Sequence, residues 1–146
     1  MDCLSHENEK FPVKKIVPPL HKQFSVYLGK VKIKIREQSL FAFIAARQMR
    51  CKTVAAVLGR TIHLWNVSRE DFLKRTPWVI HEVEHVRQFQ RYGFFRFSAL
   101  YLLEYTRKGY HNNRFEVEAR EAEMGGGSLD GIEFVWRRTI KANLYL

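Results

Sequence analysis

The sequence predicts an α+β domain in which a small antiparallel sheet packs against two helices, and three features carry this reading. Over Val31, Lys32, Ile33, Lys34 and Ile35 apolar and basic residues alternate strictly, the period of a strand with one buried and one solvated face. The runs TVAAVL and TIHLWN, joined by Gly59 and Arg60, are β-branched segments separated by a short turn and read as a hairpin. From Trp78 onward apolar residues recur at helical spacing, and Gly93, Gly109 and Gly125 stand where successive helices should stop.

Taken in order, residues 1–22 hold Pro12, Pro18 and Pro19 among scattered lysines with no sustained period, and read as an extended or partly disordered lead-in to a domain spanning 23–146. The strand centred on KVKIKIR follows, then QSLFAFIAARQMR with helix formers and apolar positions at helical spacing, then the hairpin. Residues from Asn66 to Arg75 form a connection with a helical turn. Thr76-Pro77 supplies an N-cap and a preorganised first turn for the segment from Trp78 to Tyr92. FFRFSALYLLEYTRK and RFEVEAREAEM make two further helices, and FVWRRTIKANLYL is ambiguous between helix and strand. Trp65, Trp78, Phe89, Tyr92, Phe94, Phe95, Phe97, Tyr101 and Tyr105 fall mostly at helical spacings and are expected in the core.

At 146 residues the chain suits one domain with a real core, and with 46% hydrophobic residues it is neither disordered nor of low complexity. Cys3 and Cys51 form no close-spaced pair, so a disulfide scaffold is not expected and a reducing compartment fits. The start MDCLSHENEK lacks the basic and apolar regions of a signal peptide, and LFAFIAA is too short to cross a bilayer, so a cytoplasmic protein without membrane insertion is expected. The formal charge is +10, and from Lys10 to Arg36 every charged side chain is a Lys or Arg, a balance that suits acidic substrates or acidic partners. Nucleic acid is the weaker alternative, since no helix-turn-helix, zinc-finger or RNA-binding signature accompanies the charge.

The chemistry concentrates in HEVEHVRQFQ, His81 to Gln90. On a helix, residues four apart share a face with Cβ atoms about 5–6 Å apart, so His81 and His85 can converge on one ion. Glu82 is rotated by about 100° from His81, where it can reach a water on that ion without binding the ion, as a general base must. A catalytic zinc needs a third protein ligand and an open position. Glu116, Glu118 and Glu121 on the last helix and His111 in the loop before it are the downstream candidates.

HEVEHVRQFQRYG followed by a helix and YHNNRFEVEAREAE resembles the HExxH zinc metallopeptidases of the gluzincin kind, in particular their small, minimal-domain members, over residues 50–124. The resemblance implies a zincin-like fold, one Zn2+ per chain, and hydrolysis of peptide or protein substrates by zinc-activated water with Glu82 as base and proton shuttle. It implies His81, His85 and Glu118 as ligands, Glu118 being the glutamate of a Glu-Ala pair. Ala119 and Ala122 would let that helix approach closely. It also implies substrate pairing along the edge of the TIHLWN strand. Glu84 departs from the pattern and is expected to face solvent, Arg87 or Arg91. Tyr110 and His111 are candidates for stabilising an oxyanion. Two other readings stand beside this one: a non-catalytic zincin-like binding or regulatory module, and a basic binding protein with a structural metal.

Overall fold

The structure, a computed structural model, describes residues 30–136; the expected lead-in over 1–22 and the last ten residues lie outside them. Its elements are β1 (Val31–Arg36), α1 (Leu40–Met49), β2 (Val54–Leu58), β3 (Thr61–Trp65), α2 (Arg69–Lys74), α3 (Thr76–Tyr92), α4 (Phe94–Lys108), α5 (Arg114–Met124) and β4 (Ile132–Val135).

The mixed α+β architecture expected from the sequence is present, but the sheet is not antiparallel. Its order is β2-β3-β1-β4. β1 runs parallel to β3 and to β4, and only the hairpin β2–β3 is antiparallel. Alternation tells which face of a strand is buried and carries nothing about its neighbours. The hairpin was legible because a local turn, with Gly59 at φ 63°, joins its strands. The pairings of β1 depend on segments distant in the chain. As a result β3, expected at the edge, lies inside the sheet, and β2 and β4 are the edge strands.

On β1, Ile33 and Ile35 are buried while Lys32, Lys34 and Arg36 are exposed, as the alternation predicts. Ile33, Ile62 and Leu64 pack against Val79, Val83 and Val86 of α3, with Phe72 of α2 closing one end. Each such side chain contributes on the order of 1.5–3 kcal/mol through burial. The other sheet face meets α1, where Phe41 packs on His63 and Phe43 on Trp65. The domain is therefore layered, with α1 on one side of the sheet and α2 and α3 on the other.

Local signals account for the helix ends. Ser68 caps α2, its Oγ accepting from Asp71 N at 3.0 Å. α3 starts one residue earlier than expected: Thr76 is already helical and Arg75 serves as the C-cap of α2 and the N-cap of α3. Asn113, fully buried, caps α5 by accepting from Phe115 N at 3.1 Å while its Nδ2 donates to Tyr101 O at 3.1 Å, tying α5 to α4.

The aromatic series divides. Phe89, Phe97 and Phe115 form a second cluster joining α3, α4 and α5. Phe95 stands 86% exposed, so helical spacing overstated the core there. Cys51 Sγ lies 3.3 Å from Met49 O. No described helix is long and apolar enough to cross a membrane.

After α5 the chain turns back through Gly127, where a Cβ would sit 2.8 Å from Ile80 Cγ2 and 3.0 Å from Ala122 O. Ile80 immediately precedes His81, so this contact sets how closely the chain after α5 lies on α3. Gly127→Ala is expected to lower stability by about 1–3 kcal/mol, read as a fall in the urea midpoint at unchanged m-value. An unaltered midpoint would show that the contact yields without cost.

Candidate metal centre

α3 is buried on two opposite sides, and its sequence shows why. Val79, Val83 and Val86 follow helical spacing on the sheet side, and His81, His85 and Gln88 repeat that spacing two residues later, about 200° around the helix. The second stripe faces α5, which presents Glu116, Ala119 and Glu123 at the i, i+3 and i+7 positions of one face. Ala119 is fully buried between the helices, and its small side chain allows the close approach expected of an alanine on this element.

The residues gathered are His81, His85 and Glu116, all buried, each with a ligand atom within 4.8 Å of the others. His81 Nε2 lies 3.3 Å from Glu116 Oε2, and His85 Nε2 lies 3.3 Å from Glu116 Oε1. A tetrahedral zinc with metal–ligand bonds of about 2.0–2.2 Å separates its ligand atoms by about 3.3–3.5 Å. The observed spacing fits that geometry. Glu116 Oε2 is buried without a hydrogen-bond partner, a costly state for a carboxylate unless a cation satisfies it.

Glu118 is not part of this cluster. Two positions along a helix differ by about 200°, so Glu116 and Glu118 cannot both point between His81 and His85. The Glu118 side chain is 39% exposed and lies 3.8 Å from Arg91. It also accepts from Gln88 Nε2 at 3.1 Å, while that same Nε2 donates to Phe115 O at 3.0 Å. With two acceptors at its amide nitrogen, Gln88 turns its Oε1 to His85 Nδ1 at 2.9 Å. Nδ1 therefore carries the proton, and the lone pair of neutral His85 sits on Nε2, facing Glu116. Glu118 belongs to the support behind His85. Glu121 is exposed, and so is His111, whose backbone carbonyl accepts from Arg120.

Glu82 is 4% exposed and accepts from Trp78 Nε1 at 3.2 Å. Burial holds its carboxyl above the usual carboxylate range, against the opposing fields of His81 and His85. Glu84, its side chain 13% exposed, pairs with Arg87 at 3.3 Å and Arg91 at 3.6 Å, the two basic partners expected for it.

Three further side chains belong to the site. Glu123 Oε2 lies 3.3 Å from His81 Nδ1. The Tyr101 hydroxyl donates to Glu116 Oε1 at 2.6 Å. The phenol of Tyr110 is pushed up by burial first, then by the carboxylates of Glu116 and Glu82, which places its hydroxyl in their field. Tyr101 was missed because its spacing on α4 matches the core aromatics beside it. Glu123 was legible only as the i+7 neighbour of Glu116, and Glu116 was one of several rivals.

Without a cation, burial pushes the His81 pKa down, but Glu116 and Glu123, aided by Glu82, outweigh it and raise the pKa to about 10. His85 is raised too, burial being outweighed by Glu116. His81 is protonated at neutral pH, so a metal must displace its proton to bind. Apparent zinc affinity is expected to climb about tenfold or more per pH unit from pH 6 to 8. Titrations against a competing chelator at several pH values check this, and a flat profile would exclude the raised His81.

Comparison with protein-family models, with curated proteins and with solved structures finds no match to this chain. The identity of the centre therefore rests on its own geometry, a buried His-His-Glu group able to hold a metal ion.

Proposed function

We propose that the chain is a zinc-dependent peptide hydrolase, with His81, His85 and Glu116 as ligands and Glu82 as general base. The observation that carries this is the 3.3 Å convergence of two imidazole nitrogens on one buried carboxylate, with a second carboxylate on the residue directly after the first histidine. Zinc supplies Lewis-acid activation of water and of the scissile carbonyl. Glu82 takes the proton from the attacking water and passes it to the leaving amine. Trp78 orients the Glu82 carboxylate through its indole N–H. Tyr110, turned inward where His111 is exposed, is the better placed of the two to donate to the oxyanion.

Substrate would pair along the edge of β2 rather than β3, because β2 is the edge strand that packs beside α3. The exposed cations of β1 favour acidic peptides. The test is hydrolysis of a fluorogenic peptide library by the purified chain, before and after chelation and after zinc is restored. Cleavage lost with the metal and regained with it is the expected result; bound zinc without cleavage of any peptide would defeat the hydrolase reading.

A second reading has one observation in its favour. His81, Glu82, His85 and Glu116 are each no more than 8% exposed, which suits a structural metal in a binding module. Bound zinc with no hydrolysis, together with a large loss of thermal stability on chelation, would favour it.

A further inference from the structure

We propose that Tyr101 is a positioning residue for the metal centre: its hydroxyl holds Glu116 Oε1, so that Glu116 binds the cation through Oε2 alone and a coordination position stays open. This rests on the metal-centre reading above.

Each oxygen of Glu116 faces one imidazole at 3.3 Å, Oε1 toward His85 Nε2 and Oε2 toward His81 Nε2, but their other surroundings differ. Oε1 accepts a short hydrogen bond from the Tyr101 hydroxyl at 2.6 Å. Oε2, 3.3 Å from His81 Nε2, has no hydrogen-bond partner although it is buried. A carboxylate with both oxygens available can bind zinc through either or both, and two-oxygen binding fills the position that water or a substrate carbonyl needs. A hydroxyl bonded to one oxygen occupies one of its lone pairs and weakens that oxygen as a donor to the cation, which favours binding through the other. Hydrogen-bonded partners of ligands act in this way on metal geometry and affinity.

Tyr101 is itself held rigidly. Its ring lies 5.9 Å from Phe97, 6.3 Å from Phe115 in a stacked arrangement and 6.3 Å from His85. Its carbonyl accepts from Asn113 Nδ2, and Asn113 also caps α5, which bears Glu116. The hydroxyl and the carboxylate are thus referred to one buried anchor. Deletion of the hydroxyl alone would leave the ring packing in place and free Oε1.

The experiment is cobalt titration of the full chain, comparing wild type with Tyr101→Phe. Cobalt absorption in the visible reports coordination number, strong bands marking four ligands and weak bands five or six. Wild type is expected to show strong bands. Tyr101→Phe is expected to bind about 10- to 100-fold more weakly and to show weaker bands of higher coordination. The metal-free melting temperature of both proteins separates this from misfolding, and in a Glu116→Gln background Tyr101→Phe should have no further effect on binding. Cobalt bound by Tyr101→Phe with wild-type affinity and spectrum would overturn the proposal and leave the metal centre standing. Failure of wild type to bind cobalt at all would overturn both.

Discussion

Glu116→Gln is expected to lower zinc affinity by more than about 100-fold, because it removes a ligand where loss of a supporting residue alone costs about 10- to 100-fold. Glu118→Gln should retain metal, with a change of less than about tenfold, since its oxygen can still accept from Gln88. Metal analysis of the purified variants, followed by competition with a chromogenic chelator, measures both. The isosteric change at Glu116 preserves side-chain volume in a buried site, and circular dichroism checks that α5 persists. Metal kept by Glu116→Gln and lost by Glu118→Gln would reverse the assignment of the third ligand.

Glu82→Gln separates the base from the ligands. Loss of a general base costs typically about 10²- to 10⁴-fold in rate, so kcat for a cleaved peptide should fall by that factor. Zinc content should be unchanged, because Glu82 is not among the gathered ligands. The glutamine oxygen can still accept from Trp78 Nε1, so the side chain should keep its place. A Glu82→Gln protein that cleaves peptide at the wild-type rate would remove Glu82 from the mechanism, whatever the metal does.

Much of the molecule was readable in advance because it depends on near neighbours in the chain. Alternation marked β1, a glycine turn marked the hairpin, and glycines at 93, 109 and 125 follow directly on α3, α4 and α5. His81 and His85 were legible as a pair because they lie four apart on one helix. The small residue letting α5 approach α3 was also anticipated, although Ala119 shares its face with Glu116 rather than with Glu118.

Residue order in HEVEH was enough to set two imidazoles on one side of a helix with a carboxylate beside them, since helical geometry is local and repeats with a fixed period. Which of Glu116 and Glu118 meets them depends on how α5 is rotated about its own axis against α3. That rotation comes from burial of Phe115 and Ala119 between elements distant in the chain, and no short-range pattern contains it. The recruitment of Tyr101 and the interior place of β3 have the same origin. Each is a contact between segments far apart in sequence, chosen by how the whole core packs.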